Sequence, residues 1–371
     1  MSNYIYADNA ATTQLDRSAY EAMSPYLLES YGNPSQPYSF SRAARKAIKE
    51  ARKTIADCIG ATPEEIYFTS GGTESNNWAL NATAKNGLIT SEIEHHAVIN
   101  PCKLLQRKGL PVYFISANEK GAISPNSLDS FLREKSVGLV SIMTANNEIG
   151  TIEPIAELCE VTHKYGAIFH TDAVQAIGHI EFNVKELGID MMSASAHKFN
   201  GPKGIGFLYI RKGLEVSPYL LGGSQEKNLR AGTENVASIV GMAVALRKNY
   251  DNLQSNMIYL SGLEERLISK LDQSGTNYVL NGSTNRLPGL MSLSFEGQDG
   301  EAILHKMDLM KIAISTGSAC DSKRTEISHV LRAIGLKESL AKGTIRVSLC
   351  KNNTLDEVDT IVNALIKVIQ K

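Results

Sequence analysis

Four places in this sequence set a polar or reactive side chain just where an apolar run ends. In SASAHKFNGPKGIG (193–206), Lys198 follows the run DMMSASA, beside His197 and ahead of glycines that permit close backbone approach. A lysine held in a dry, crowded setting loses basicity and can form a Schiff base with an aldehyde; Lys203 is a rival in the same loop. In AIFHTDAVQA (167–176), Asp172 closes a run with Gln175 three residues on, placed either to cap the turn or to partner a ligand cation. IYFTS (66–70) runs into GGTES, where Gly71, Gly72 and Thr73 precede a helical pattern. Free N–H groups and the helix dipole there suit a phosphate, although a plain glycine turn reads the same way. VGLVSIM (137–143) ends in TANNEIG, with Asn146 and Asn147 as turn formers or ligand contacts.

The combination is more telling than any one member. Pyridoxal phosphate needs a phosphate cradle, a carboxylate for its ring nitrogen and a lysine for its aldehyde, and the sequence offers one of each. A fifth feature is Cys320 in STGSACDSKRTE (315–326), a small-residue and charged stretch in which Lys323 and Arg324 favour thiolate. Cys58, Cys102 and Cys159 lie in apolar helical patterns and read as core, and Cys350 closes a strand. The odd count and the absence of any C-x-x-C pair point to free thiols in a reducing compartment, hence the cytoplasm.

The elements that must position these residues follow from periodicity. From about residue 61 to 215, short β-branched runs alternate with amphipathic stretches that open at Ser or Pro and close at Gly, which predicts βαβ units and an α/β fold with a mostly parallel sheet. DMMSASA and GIGFLYI lack a helix between them, so an antiparallel strand makes the sheet mixed. Past the Gly-rich connection GGSQEKNLRAGTEN (222–235), a long helical region runs from Val236 to about Leu271 and leads into a smaller α+β part. The expected division is a large cofactor-binding domain over 14–248 and a small domain made of 1–13 and 249–371. With 38 basic against 39 acidic side chains the net charge is -1, which gives no field for nucleic acid or an anionic membrane. No run reaches the roughly 18 apolar residues of a membrane span.

These motifs, in this order, resemble those of the cysteine desulfurases, pyridoxal phosphate enzymes of the aspartate-aminotransferase-like fold (fold type I), in the branch with the longer cysteine loop. The likeness runs from YADNAATT (6–13) through TSGGTESNN (69–77), EHHAV (94–98), NNEIG (146–150), HTDAVQ (170–175), SAHKFNGPKGIG (195–206), RAGTEN (230–235) and STGSACDS with EISHVLRAIG (315–335) to IRVSLCKNNTLDEVD (345–359). It implies that Lys198 is the Schiff-base lysine, that Asp172 partners the pyridinium and that His95 stacks on the ring and, as a catalytic residue, moves protons to and from thiols. Gln175 and Asn147 would contact the ring hydroxyl region or the substrate, and Gly72, Thr73, Ser195 and His197 would hold the phosphate. Thr233 would reach the phosphate of a neighbouring subunit, implying a homodimer. Arg346 and Asn33 would grip the carboxylate of L-cysteine. Cys320 would take the sulfur as a persulfide, for an acceptor protein such as an iron–sulfur scaffold. No metal site is implied beyond a transient contact of that persulfide with an iron–sulfur cluster. Selenocysteine and cysteine sulfinate stay open as substrates, and a catalytically silent relay protein is the reading from another class. Tyr38, Ser41, Ser224, Asn228 and Ala231 depart from the family pattern around the site entrance and subunit contact. The stretch from Gly317 to Glu326 has little apolar anchorage, so the loop is expected to travel between cavity and acceptor.

Overall fold

The structure is a computed structural model that describes residues 4–316 and 327–370. Its centre is a seven-stranded sheet in the order Ile66–Thr69, Gly206–Ile210, Met191–Ser195, Ile168–Asp172, Leu139–Ser141, Leu88–Ser91, Val112–Ile115. The last five strands pair in parallel, while Gly206–Ile210 runs antiparallel to both its neighbours. The strand that returns without a helix is therefore interior to the sheet, not at its edge. Helices Gly72–Thr83, His96–Arg107, Pro125–Glu134 and Ile155–Lys164 connect the parallel strands. Helix cover explains why most strands read as continuous apolar runs: five of the seven are buried at every position. The carboxyl ends of Ile66–Thr69, Leu88–Ser91, Leu139–Ser141, Ile168–Asp172 and Met191–Ser195 all point the same way, the direction in which open α/β sheets bind ligands.

The predicted helical region after Val236 is two helices, Val236–Asp251 and Leu253–Gln273, separated at Asn252, whose φ of -116° and ψ of 15° leave the helical range. The break falls where the burial partners change. Ile239, Met242 and Leu246 of the first helix join the core around the large sheet. Leu260, Leu263, Leu267 and Leu271 of the second join a separate core with Met291, Ile345, Val358 and Leu365. That second core is built on antiparallel strands Val279–Asn281, Leu290–Ser294 and Thr344–Ser348, backed by Gly300–Leu309 and Leu355–Ile369. The chain's start belongs with it: Ile5–Tyr6 pairs in parallel with Ile312–Ala313.

Two helices near the N-terminus, Arg17–Leu28 and Arg42–Ile59, were not legible as separate elements in the sequence. Both lie against Val236–Asp251. The second buries Ala44, Ala47, Ala51 and Ile55 on one face beneath a heavily basic exterior, so small alanines carry a packing stripe that charge obscures.

Candidate active site

A cavity of about 500 Å³ opens at the converging strand ends. One wall is the turn after Ile66–Thr69. Gly71 adopts φ 145°, which disfavours any side chain, and a Cβ on Gly72 would come 2.6 Å from Val174 Cγ2. Gly206 matters equally, since a Cβ there would sit 2.3 Å from the Ala194 carbonyl and 2.7 Å from Gly71 Cα. The turn can pack on the sheet only because this position is bare. Glu74 fixes the turn from within by accepting the Ser70 N–H at 2.7 Å, and Arg230 grips the same carboxylate at 2.8 and 3.0 Å. No side chain caps helix Gly72–Thr83, so its first N–H groups face the cavity as a ready anion site, with Ser195 and His197 beside them.

Across the cavity, Asp172 is 5% exposed and caps the turn that follows its strand. One oxygen accepts the Val174 N–H at 3.0 Å, an Asx turn, and the other accepts from Asn76 Nδ2 at 2.6 Å. Asn76, one helical turn past Gly72, escaped the sequence reading although it lies in the quoted TSGGTESNN. Its own Oδ1 is buried without a hydrogen-bond partner among the described residues. Lys198 Nζ donates to the carbonyls of Ala10 and Ala11 at 2.6 and 2.8 Å, and Gln175 Nε2 donates to the same Ala10 carbonyl at 2.9 Å. The YADNAATT segment thus supplies the backbone that holds the lysine. Lys203 also lines the cavity.

Histidines and a buried acid complete the inner wall. His95 caps helix His96–Arg107, its Nδ1 accepting the Ala97 N–H at 3.0 Å. Burial lowers its basicity, Lys198 and the rings of His96 and His329 add to that, and Asp172 opposes it. His197 meets Thr12 Oγ1 at 3.1 Å and is pushed down to about 4, first by burial and then by Lys198 and Lys203. Glu94, wholly buried behind His95, accepts from Ser91 Oγ and the Met143 N–H at 2.7 and 2.8 Å; burial pushes its carboxyl up to about 8.

Arg346 is 2% exposed at the cavity's edge, where it donates to Asp8 Oδ1 at 2.7 Å and to the Asn147 carbonyl at 2.8 Å. Of the asparagine pair, Asn147 lines the cavity, whereas Asn146 is a buried turn former that accepts from the N–H groups of Glu148 and Ile149. Two expected site residues stand apart from the cavity lining. Asn33 is occupied locally, its Oδ1 accepting the Ser35 N–H at 2.9 Å, and Thr233 is exposed on a separate surface beside Arg230. Cys320 and its loop, Gly317 to Glu326, lie outside the described residues. Burial pushes the thiols of Cys58 and Cys102 up to about 12, and those of Cys159 and Cys350 also rise, so none of the four is a ready nucleophile. Among the departures from the family pattern, Asn228 sits at φ 65°, the left-handed region that asparagine tolerates best after glycine. Tyr38 is half exposed and Ser41 wholly buried.

A glycine cradle that a Cβ would fill, a carboxylate, a held lysine amine and an orphaned amide oxygen in one cavity match what pyridoxal phosphate requires, so the residues present fit that cofactor. Residues 5–361 match the family described as aminotransferase class-V. The chain is 46% identical to a cysteine desulfurase IscS of Dictyoglomus turgidum over all of its own length and 96% of that protein. It is 43% identical to a cysteine desulfurase IscS of Methanosarcina thermophila over 99% of this chain and 92% of that one. Among solved structures, a NifS-like protein superposes with a TM-score of 0.92 at 36% identity, covering 99% of each chain. A NifS-like protein from Rickettsia africae gives 0.91 at 34% identity over 100% of both. The fold and cavity are those of a class-V aminotransferase, an enzyme class built around pyridoxal phosphate. Within that class the chain belongs to the cysteine desulfurase family.

Proposed function

We propose that the cavity converts L-cysteine to L-alanine and delivers the sulfur to Cys320 as a persulfide, for iron–sulfur cluster assembly or another sulfur-transfer pathway. The observation that carries this reading is the convergence of Lys198, Asp172, the Gly71–Gly72 turn and Arg346 on one cavity. When bound, the cofactor supplies a covalent hold on the substrate amine and an electron sink in its ring. Gly72, Thr73, Ser195 and His197 would hold the phosphate, Asp172 would keep a proton on the ring nitrogen, and Asn147 and Gln175 would flank the ring or the substrate. Lys198 would hold the cofactor's aldehyde, and its amine, once free, would take the Cα proton and return it. Arg346, already oriented by Asp8 and the Asn147 carbonyl, receives the substrate carboxylate as a preorganised donor. The Cys320 thiolate attacks the substrate sulfur, an S–S bond forms, and the C–S electron pair stays with the carbon skeleton that leaves as alanine.

Thr233 fits a role across a subunit boundary. It is exposed and apart from its own chain's cavity, which supports a homodimer in which it reaches the partner's phosphate site, with Asn33 completing the substrate contacts. The sulfur then passes to an acceptor protein. Among the described residues no helix is long and apolar enough to cross a membrane.

The test is direct. Purified protein supplied with pyridoxal phosphate should be yellow, borohydride should fix the cofactor to Lys198, and L-cysteine should yield alanine. Lys198→Ala should lose the bound-cofactor absorbance and all turnover, while Lys203→Ala keeps both. The reverse pattern would reject the assignment.

A further inference from the structure

Asp172 and Lys198 must address opposite ends of one flat, rigid ring, the nitrogen and the carbon that carries the aldehyde, so their separation has to be fixed. The sheet fixes only the first of them. Asp172 is the last residue of Ile168–Asp172 and pairs with Ser193 of Met191–Ser195. Lys198 stands beyond that strand, at the end of the single turn Ala196–Lys198 and so outside the strand ladder. Its peptide is held instead from three other segments. The His197 carbonyl accepts the Thr13 N–H at 3.0 Å and Thr13 Oγ1 at 2.8 Å, the Phe199 carbonyl accepts Asn249 Nδ2 at 2.7 Å, and the Lys198 carbonyl lies 2.9 Å from His179 Nε2.

Of these, His179 alone belongs to the stretch that Asp172 opens. That stretch is internally braced: the N–H groups of Ala176 and Ile177 donate to the Ala173 carbonyl at 2.9 and 3.0 Å, and those of His179 and Ile180 to the Ala176 carbonyl at 3.0 and 3.2 Å. Ala173, Ala176 and Ile177 are wholly buried in the core around the large sheet. Gly178, at φ 81°, lets the stretch close on the lysine loop, since a Cβ there would come 2.9 Å from Phe199 Cβ. A carbonyl oxygen only accepts, so the His179 ring carries a proton on Nε2. Burial lowers the basicity of the ring, the bond to Lys198 opposes that, and the charges of Lys351 and Lys198 add to it. From the same stretch, Gln175 donates to the Ala10 carbonyl that also receives Lys198 Nζ. One braced stretch thus touches the lysine's backbone at one point and shares the acceptor of its amine at another.

We propose that His179 is a positioning residue that holds Lys198 at a set distance from Asp172, the distance that one cofactor ring must span. This rests on the desulfurase reading only where catalysis is measured. A lysine so held meets the cofactor's aldehyde as a preorganised neighbour, at a high effective concentration, and returns to it readily after each turnover. Loosened, the same lysine is displaced more easily by a competing amine and is a poorer acceptor for the Cα proton. Binding of such an amine and the rate of proton transfer therefore move in opposite directions.

The test uses the cofactor-loaded enzyme with His179→Gln, whose amide N–H reaches the place of Nε2, and with His179→Leu and His179→Asn, which put no donor there. The first readout needs no turnover. 2-Aminoisobutyrate, with an amine and a carboxylate but neither a Cα hydrogen nor a thiol, competes with Lys198 for the cofactor, and borohydride followed by mass spectrometry counts the cofactor still fixed to Lys198. The concentration that displaces half should fall about 10-fold in His179→Leu and His179→Asn and stay within about 2-fold of wild type in His179→Gln. General damage to the site would instead weaken binding of the amine and raise that concentration. The second readout is loss of the Cα deuterium label from cysteine, which should slow about 10-fold in the leucine and asparagine variants and recover in the glutamine variant. In the Asp172→Asn background the loss from His179→Leu should shrink to about 2-fold, since the two residues serve one spacing. The asparagine variant carries the comparison if the leucine variant does not fold. A half-displacing concentration unchanged or raised in His179→Leu and His179→Asn would overturn the proposal, as would equal losses of deuterium exchange in all three variants, or losses fully additive with Asp172→Asn. A wild type that makes no alanine from cysteine would overturn the desulfurase reading instead, and the displacement readout would still decide the role of His179.

Discussion

Asn76 Nδ2 stands 2.6 Å from Asp172 Oδ2, and the other Asp172 oxygen accepts the Val174 N–H at 3.0 Å, so the carboxylate at the cavity wall is held from two sides by neutral donors. Neither donor cancels its charge. The arrangement fixes the orientation of the carboxylate that, in the proposed function, would keep a proton on the cofactor's ring nitrogen.

From this follows a graded pair of outcomes. Asp172→Asn should fold and retain cofactor but slow Cα deprotonation on the order of 100-fold or more, because an amide cannot keep the ring nitrogen protonated. Asn76→Ala leaves the charge and loses only its alignment, so the loss should be on the order of 10-fold, for one positioning hydrogen bond. Stopped-flow loss of the substrate Cα deuterium label measures both. Equal losses in the two variants would mean that Asn76 does more than orient.

The second relationship to probe is Asp8 with Arg346. Arg346 is nearly fully buried, and Asp8 is the carboxylate that balances it. Asp8→Asn should lower stability on the order of 2 kcal/mol, less than a fully buried pair would lose because the Asn147 carbonyl remains and Asp8 is partly exposed. Without that competing carboxylate the guanidinium is also freer to take the substrate's, so KM for cysteine should fall or hold while kcat drops as Arg346 loses its alignment. Urea unfolding and steady-state kinetics separate the two effects. A variant with raised KM and unchanged kcat would refute the positioning role.

Stability should depend on pH in a direction set by buried carboxyls. Burial raises Glu94 and Glu153 to about 8, above their unfolded values near 4.5, so the folded state holds protons that the unfolded state has lost. Their contribution is complete below about pH 4.5 and disappears as pH climbs to about 8. His170 and His197, lowered to about 3 and about 4 by burial, act oppositely, adding stability as pH rises toward the ordinary histidine value of about 6.5 and nothing beyond it. Above pH 6.5 only the carboxyl loss remains, on the order of 2 kcal/mol per group by pH 8. Denaturation midpoints at pH 6.5 and 8 should therefore differ, and Glu153→Gln should narrow the difference. A wild type as stable at pH 8 as at 6.5 would count against it.

How much of this was legible beforehand varies with the kind of signal. The parallel sheet and the antiparallel Gly206–Ile210 strand came from periodicity and from a missing helix, both local properties. Lys198, Asp172 and the Gly71–Gly72 turn were legible because each sits at the end of its own strand. Asn76, Asp8 and the Ala10 carbonyl were not, because their significance lies in partners 96, 338 and 188 positions away. The helix Arg42–Ile59 was hidden for a different reason: alanines buried beneath lysines and arginines give little apolar contrast. Asn33 and Thr233 came from family likeness alone, and neither lines the cavity of its own chain.

The central claim is that sulfur leaves L-cysteine for Cys320 in a cavity organised by Lys198 and Asp172. Its most direct test is to count alanine released and persulfide formed on the protein in a single turnover, in wild type and in serine variants of Cys58, Cys102, Cys159, Cys320 and Cys350 separately. Wild type should give one persulfide per alanine, Cys320→Ser should bind cysteine and cofactor yet yield neither product at a useful rate, and the other four should match wild type apart from stability losses. Alanine release at the wild-type rate from Cys320→Ser would contradict the account.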